Sequence, residues 1–216
     1  MVDLKEFEQK AADLRVLGMK ISIGQDTVYE KYWDEDCRRN IYSASKSFTS
    51  CAVGFAVQEG LIDLDERLMD AFKEDIPNNP DENLKKATVK DLLTMTLGQE
   101  KGFLMGKQRP RMEEQNWVKA SLAIPFVYEP GTHFVYNNVG PYLAGILVQR
   151  RAGCDLLSYL TPRLLKPLGI RKTIWEVDPE GNTFGAGGLF LTLSELHKFG
   201  LFYLNKGKWN GKQLLN

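Results

Sequence analysis

Between residues 41 and 60, Phe48, Cys51, Ala52, Phe55 and Ala56 recur at helical spacing and predict a helix with one face packed inside. Polar residues crowd its beginning, at Ser43, Ser45, Lys46 and Ser47, and Gly60 suits the left-handed position that closes a helix. Earlier in the chain, Leu4, Phe7, Ala11 and Leu14 predict a short amphipathic helix. Met19, Ile21 and Ile23 then alternate, Gly24-Gln25-Asp26 offers a turn, and residues 28–33 are rich in strand formers, which together predict a β-hairpin.

Thr88 and Asp91 form a capping-box pattern, with Asp in place of the usual Glu, ahead of the apolar face of Val89, Leu92 and Leu93. Residues 98–111 read as a loop, and residues 113–122 as a helix with Trp117 turned inward. A turn at Tyr128-Glu-Pro-Gly-Thr132 precedes a helix that carries Pro141 in its first turn. Leu143, Ile146 and Leu147 form the buried stripe of that helix and Gly153 ends it. Residues 156–165 predict another helix, stopped at Pro167-Leu-Gly169. Gly185-Ala-Gly-Gly188 reads as a flexible turn, and Thr192 with Glu195 opens a last helix that runs to about Leu204. This pattern yields many helices and one pair of strands, and an isolated hairpin is at best marginally stable in water. Either further strands are hidden in the chain, or the sheet is completed by residues the chain lacks.

Composition narrows the functional classes. A chain of 216 residues with 43% hydrophobic content supports one substantial core. Lys plus Arg equals Asp plus Glu at 28 each, so no global charge points to nucleic acid or an anionic membrane. The basic stretch Lys107-Gln-Arg-Pro-Arg111 is followed at once by Glu113 and Glu114 and reads as a solvated loop. No apolar run approaches the ~18 residues of a membrane span. The N-terminal residues are charged throughout, unlike a signal peptide, and the chain reads as cytoplasmic. Cys37, Cys51 and Cys154 are odd in number and widely spaced, which fits neither a disulfide framework nor a zinc site. No metal or cofactor motif is present.

The candidate chemistry lies at the start of the 41–60 helix. Ser43 and Lys46 are three residues apart, which puts their Cβ atoms about 5–6 Å from each other on one face. A serine beside a lysine at the positive end of a helix dipole is a nucleophile with a candidate base. At this composition a chance Ser-x-x-Lys spacing is close to expected, and Ser43 as a simple helix cap is the competing reading. Only two histidines are present: His197 reads as an exposed residue, and His133 as structural in preference to lining a cleft. A hydrolase so poor in histidine needs another base, and a lysine serves if burial or nearby positive charge brings its pKa well below ~10.4. Tyr136-Asn137-Asn138 supplies a phenol able to relay a proton and an amide able to hold a lysine and a carbonyl. Tyr136 follows a Pro-Gly turn and precedes a helix, a junction where side chains often face a cleft.

Taken in order, these residues carry a resemblance. Ser43-Ala-Ser-Lys46 with Ser47-Phe48-Thr49, Leu92-Leu93-Thr94-Met95 and Glu129-Pro-Gly-Thr-His-Phe-Val-Tyr-Asn-Asn138 resemble the serine β-lactamase and penicillin-binding-protein superfamily. Lys166-Pro-Leu-Gly-Ile-Arg-Lys-Thr173, Gly187-Gly-Leu-Phe-Leu-Thr192 and Lys208-Trp-Asn-Gly-Lys-Gln-Leu-Leu215 follow the same family in the same order. The resemblance covers roughly residues 18–216, is nearest to the class C and esterase-type branch, and draws its specificity from ordered co-occurrence.

What it implies is an α+β, β-lactamase/transpeptidase-like fold, with an all-helical lobe beside an α/β lobe that holds an antiparallel sheet. Residues 1–216 would form one such domain, residues 1–42 contributing the hairpin part of the α/β lobe and 43–216 a mainly helical lobe. Ser43 would be the nucleophile, Lys46 its base and Tyr136 the proton relay; Asn138 would orient Lys46 and the substrate. The reaction would be acyl-enzyme hydrolysis of an ester, amide, β-lactam or D-amino-acid peptide, without a cofactor. The family's third motif, Lys-Thr-Gly or His-x-Gly on a strand beside the serine, is not matched: neither Lys172-Thr-Ile174 nor His197-Lys-Phe199 has the glycine. The chain therefore reads as C-terminally truncated, without the strand that supplies a second oxyanion donor, a loss of about 10²–10³ in rate. An incomplete sheet leaves an exposed edge able to pair with a second copy, and a non-catalytic binding or assembly module built on that edge is the alternative function.

Overall fold

The computed structural model describes residues 4–11 and 13–216. In chain order its elements are α1 (Lys5–Ala11), β1 (Gly18–Ile23), β2 (Asp26–Tyr32), β3 (Arg39–Asn40), α2 (Ser45–Gln58), α3 (Leu68–Ala71), α4 (Glu82–Lys86) and α5 (Val89–Thr94). They continue with α6 (Trp117–Leu122), α7 (Val139–Ala152), α8 (Leu156–Leu160), β4 (Phe190–Leu191), α9 (Leu193–Leu204), β5 (Lys208–Trp209) and β6 (Lys212–Gln213). The architecture is α+β, with helices around small antiparallel sheets. No described helix is long and apolar enough to cross a membrane.

The core is built where α2 meets α7. Phe48, Ala52 and Phe55 of α2 are buried together with Tyr142, Leu143, Ile146 and Leu147 of α7. Every residue of α7 from Val139 to Gln149 is buried, so this helix has no solvent face until its last turn. Helices apolar all round belong in an interior, and the three-residue stripe read from sequence is only part of the surface α7 hides. α9 closes the other side, with the Phe199 ring stacked on Phe48 at 3.7 Å between centroids. The predicted ends of α2 and α7 are found: Gly60 and Gly153 take left-handed φ of 71° and 68°.

Both predicted capping boxes form. Thr88 and Asp91 cap α5, and Thr192 and Glu195 cap α9, each satisfying backbone N–H groups that the first turn leaves open. Glu195 also receives Arg38, whose Nη2 lies 2.7 Å from Oε1, and so ties α9 to the chain just before β3. The hairpin is held to α9 as well, through Ser22 Oγ to His197 Nε2 at 2.9 Å and Tyr32 Oη to Ser194 Oγ at 3.0 Å. His197 is thus a half-buried structural partner of the hairpin, and burial pushes its pKa below the usual histidine value.

The strands that periodicity could not reveal are very short. β3 pairs antiparallel with β4, Arg39 opposite Leu191 and Asn40 opposite Phe190; β5 pairs with β6 at the chain's end. Two residues have no measurable period, and the β3–β4 partners lie far apart in sequence. The irregular ribbon continues past β4, with Ile41 N donating to Leu189 O at 2.9 Å and Glu176 N to Gly188 O at 2.9 Å. This ribbon lays Gly185–Gly188 against the start of α2.

Three elements differ from expectation at their edges. α1 is described through Ala11, and Leu14, which the pattern put on its apolar face, is 65% exposed. α6 begins at Trp117, because the Asn116 side chain caps it by accepting from Lys119 N at 2.8 Å. Residues 156–165 are continuous but change type: after Leu160 the coil widens into a π turn over Thr161–Leu165. Pro162 explains the change, since it has no N–H to donate and its ring crowds the carbonyl four residues back.

Replacing Phe48 by Ala should lower the unfolding free energy by about 3–5 kcal/mol, because it opens a cavity at the α2–α9 contact. Phe134→Ala, at a side chain 70% exposed, should change it by less than about 0.5 kcal/mol. Urea denaturation followed by circular dichroism measures both, and equal effects would contradict this placement of the core.

Candidate active site

α2 does not start at Ser43. A single 3₁₀ turn, Tyr42–Ala44, precedes it, and the helix N-cap is Ala44 with no side-chain cap. The Ser43 hydroxyl is therefore not capping the helix, which removes the bland reading of that serine. Ser45 holds the turn instead: its buried hydroxyl donates to Tyr42 O at 2.6 Å and accepts from Leu189 N at 3.1 Å.

Freed from that duty, Ser43 Oγ is the meeting point of two other side chains. Tyr136 Oη donates to it at 2.7 Å and Lys46 Nζ donates to it at 3.2 Å. Lys46 Nζ also lies 5.3 Å from the centroid of the Tyr136 ring. Its second acceptor is the carbonyl of Ala186, at 2.5 Å, in the glycine-rich segment. That segment is not a flexible turn. Gly185–Gly188 is buried and fixed by Thr49 Oγ1 to Gly185 O at 2.7 Å and by Trp175 Nε1 to Gly187 O at 2.8 Å. Gly188 takes φ of 83°, and a Cβ there would stand 2.5 Å from Glu176 Cβ, so only glycine fits this wall.

The surroundings make the Lys46 amine easier to deprotonate than an ordinary lysine. Burial holds Lys46 below the usual lysine pKa; Tyr136 opposes the shift, and the positive charge of Arg109 adds to it. For Tyr136, burial would raise the pKa, but the hydrogen bond to Ser43 and the neighbouring Lys46 outweigh it and bring the phenol below its usual value. On losing a proton, Lys46 would present a lone pair to the Ser43 hydroxyl, and a phenol that gives up its proton more easily can pass it onward.

Asn138 stands apart from this trio. It is the N-cap of α7, 8% exposed, and its Nδ2 donates to Leu104 O at 2.9 Å. Its Oδ1 is buried without a hydrogen-bond partner, and it makes no bond to Lys46. Asn137, which the sequence pattern left without a role, organises the adjoining loop: Oδ1 accepts from Phe103 N at 2.9 Å and Nδ2 donates to Gln99 Oε1 at 2.7 Å. His133 lies stacked on Tyr128, 4.3 Å between centroids, and takes no part in the Ser43 cluster.

The basic stretch 107–111 is also not simply solvated. Arg109 folds inward, its guanidinium 4.3 Å from the Phe184 ring centroid and its Nη1 3.2 Å from Glu176 Oε2. What could have flagged the glycine-rich segment is its company: a run of four small residues with three glycines beside a capping box signals close backbone approach.

Ser43 in the turn before α2, Lys46 in its first turn and Tyr136 just before α7 meet within a β-lactamase/transpeptidase-like fold. The chain belongs to the Beta-lactamase family, whose model matches residues 5–216. Over 157 residues it is 31% identical to the monacolin J acid methylbutanoyltransferase of Aspergillus terreus, a match covering 63% of this chain and 37% of that protein. Over 150 residues it is 31% identical to the lovastatin esterase of Penicillium rubens, covering 59% of this chain and 37% of that one. The octameric penicillin-binding protein homologue from Pyrococcus abyssi superposes with a TM-score of 0.75 at 22% identity, over 100% of this chain and 58% of that one. The chain thus matches well under two thirds of the length of each.

A depressed Lys46 pKa has a definite sign for stability. The folded state then binds fewer protons than the unfolded one, so Lys46 makes stability rise with pH between its lowered pKa and about 10.4. Titration of the lysine ¹³Cε resonances should show one signal moving at lower pH than the rest, and Lys46→Arg should remove it. A full set titrating together near 10.4 would contradict the burial of this amine.

Proposed function

We propose that this chain carries the acyl-enzyme chemistry of a serine hydrolase or acyltransferase acting on an ester, amide or β-lactam, with Ser43 as nucleophile. The observation that carries the reading is the convergence of Tyr136 Oη and Lys46 Nζ on Ser43 Oγ, at 2.7 Å and 3.2 Å. Neutral Lys46 accepts the Ser43 proton as Oγ attacks the carbonyl carbon. The bond from that carbon to the leaving oxygen or nitrogen then breaks, and the leaving group takes a proton delivered from Lys46 through Tyr136. Water or an acceptor alcohol next attacks the acyl-serine, gives its proton to Lys46, and Ser43 regains a proton as the second product leaves. Asn138 receives the orienting role only from its place two residues after Tyr136, since its Nδ2 is engaged by Leu104 O and it makes no bond to Lys46. An ester is the favoured substrate class, since the relatives that match at 31% identity are by name an acyltransferase and an esterase.

The test is turnover of p-nitrophenyl butyrate beside nitrocefin. We expect ester turnover that falls at least about a thousandfold in Ser43→Ala and about 10²–10⁴-fold in Tyr136→Phe. Turnover undiminished in Ser43→Ala overturns the reading; nitrocefin cleaved faster than the ester would move the substrate class to β-lactams.

A further inference from the structure

The residue before the nucleophile is in an unusual conformation. Tyr42 has φ of 48°, in the left-handed region, although it carries a bulky side chain that is 74% exposed. Such a backbone persists only where its surroundings over-determine it, and those surroundings are on the page. Tyr42 N donates to Asn40 Oδ1 at 2.7 Å, a side-chain bond that closes a tight turn at the entry to the 3₁₀ turn. The other end of the same carboxamide is also held, Asn40 Nδ2 donating to Glu176 Oε1 at 3.2 Å. The second oxygen of that carboxylate accepts from Arg109 Nη1 at 3.2 Å. Arg109 in turn stacks on Phe184, which is buried and packs edge-on against Trp117 at 5.8 Å. Glu176 is anchored along its backbone, donating to Gly188 O and accepting from Phe184 N, both at 2.9 Å.

These contacts form one chain from the core to the nucleophile. We infer that Arg109, Glu176 and Asn40 are positioning residues that hold Tyr42 in its left-handed conformation and so aim the Ser43 hydroxyl at Lys46 and Tyr136. None of the three touches Ser43 itself. Glu176 is the hinge of the arrangement, because its two oxygens serve different partners: one fixes the amide that holds Tyr42, the other takes the charge of Arg109. The loop at 109–111 and the ribbon at 174–190 are thereby coupled to the exact rotation of the turn that carries the serine. A small misplacement of a reacting atom reduces rate far more than binding, so the coupling acts on the chemical step.

The inference rests on Ser43 being the nucleophile, and its test separates the two. Ester turnover is measured for wild type, Asn40→Ala, Asn40→Asp, Glu176→Gln and the exchange Asn40→Asp/Glu176→Gln. Asn40→Ala should lower kcat by about ten- to a hundredfold with KM changed less than about twofold. Asn40→Asp keeps an acceptor for Tyr42 N but sets a carboxylate against Glu176, and should be comparably slow. The exchange restores a donor opposite an acceptor and should recover most of the lost kcat, which a merely structural role would not produce. As a second line, Tyr42→Gly removes the strain that Asn40 offsets, so Asn40→Ala should lower kcat less in that background than in wild type. Turnover that survives Ser43→Ala overturns the acyl-enzyme reading and this inference with it. Ser43-dependent turnover with wild-type kcat in Asn40→Ala, or no recovery in the exchange, overturns this inference alone.

Discussion

The arrangement depends on the burial of one amine. An ammonium group is costly to desolvate, and Lys46 is partly buried at the start of α2, with the Ser43 hydroxyl, the Ala186 carbonyl and the Tyr136 ring about its amine. Desolvation disfavours the charged form there and outweighs Tyr136, which favours it. A lysine held this way is a base at lower pH than lysine usually is, and the rest of the molecule supplies the conditions for it. α7 and α9 pack α2 into the interior, and the glycine-rich wall brings a backbone oxygen where a side chain would not fit.

The helical core and the site are therefore one construction. Phe48 lies two residues beyond Lys46 and stacks on Phe199 of α9, so the position of the amine follows from how that ring packs. Thr49, the next residue, uses its hydroxyl to hold Gly185 O, which fixes the wall that carries Ala186. On the far side, α7 begins directly after Tyr136-Asn137-Asn138, and Asn137 pins the loop beneath it. Three segments distant in sequence thus converge on Ser43 because each is tied to a rigid helix within a few residues of its functional group.

How much of this was legible in the sequence follows from the range of the forces involved. Helix periodicity, capping boxes and closing glycines are local, and α2, α5, α7 and α9 were all readable from them. So was the hairpin, from the alternation at Met19, Ile21 and Ile23 and the strand formers of residues 28–33. What escaped was non-local. β3 and β4 are two residues each and pair across most of the chain, so no window contains the evidence for them. Gly185–Gly188 was read as flexible because glycines lack side-chain signals, although the segment is buried and carries the carbonyl that Lys46 meets. Arg109 was read as solvated because charge patterning cannot show that a guanidinium finds an aromatic face and a carboxylate. Of the four site residues named from sequence, Ser43, Lys46 and Tyr136 meet, while the Asn138 side chain turns to Leu104.

The most direct measurement is to treat the chain with a fluorophosphonate and locate the adduct by peptide mapping in a mass spectrometer. Ser43 should carry the phosphonyl group alone among the chain's serines, with Lys46→Met abolishing the adduct. An adduct on another serine, or on Ser43 at an undiminished rate in Lys46→Met, would contradict the account.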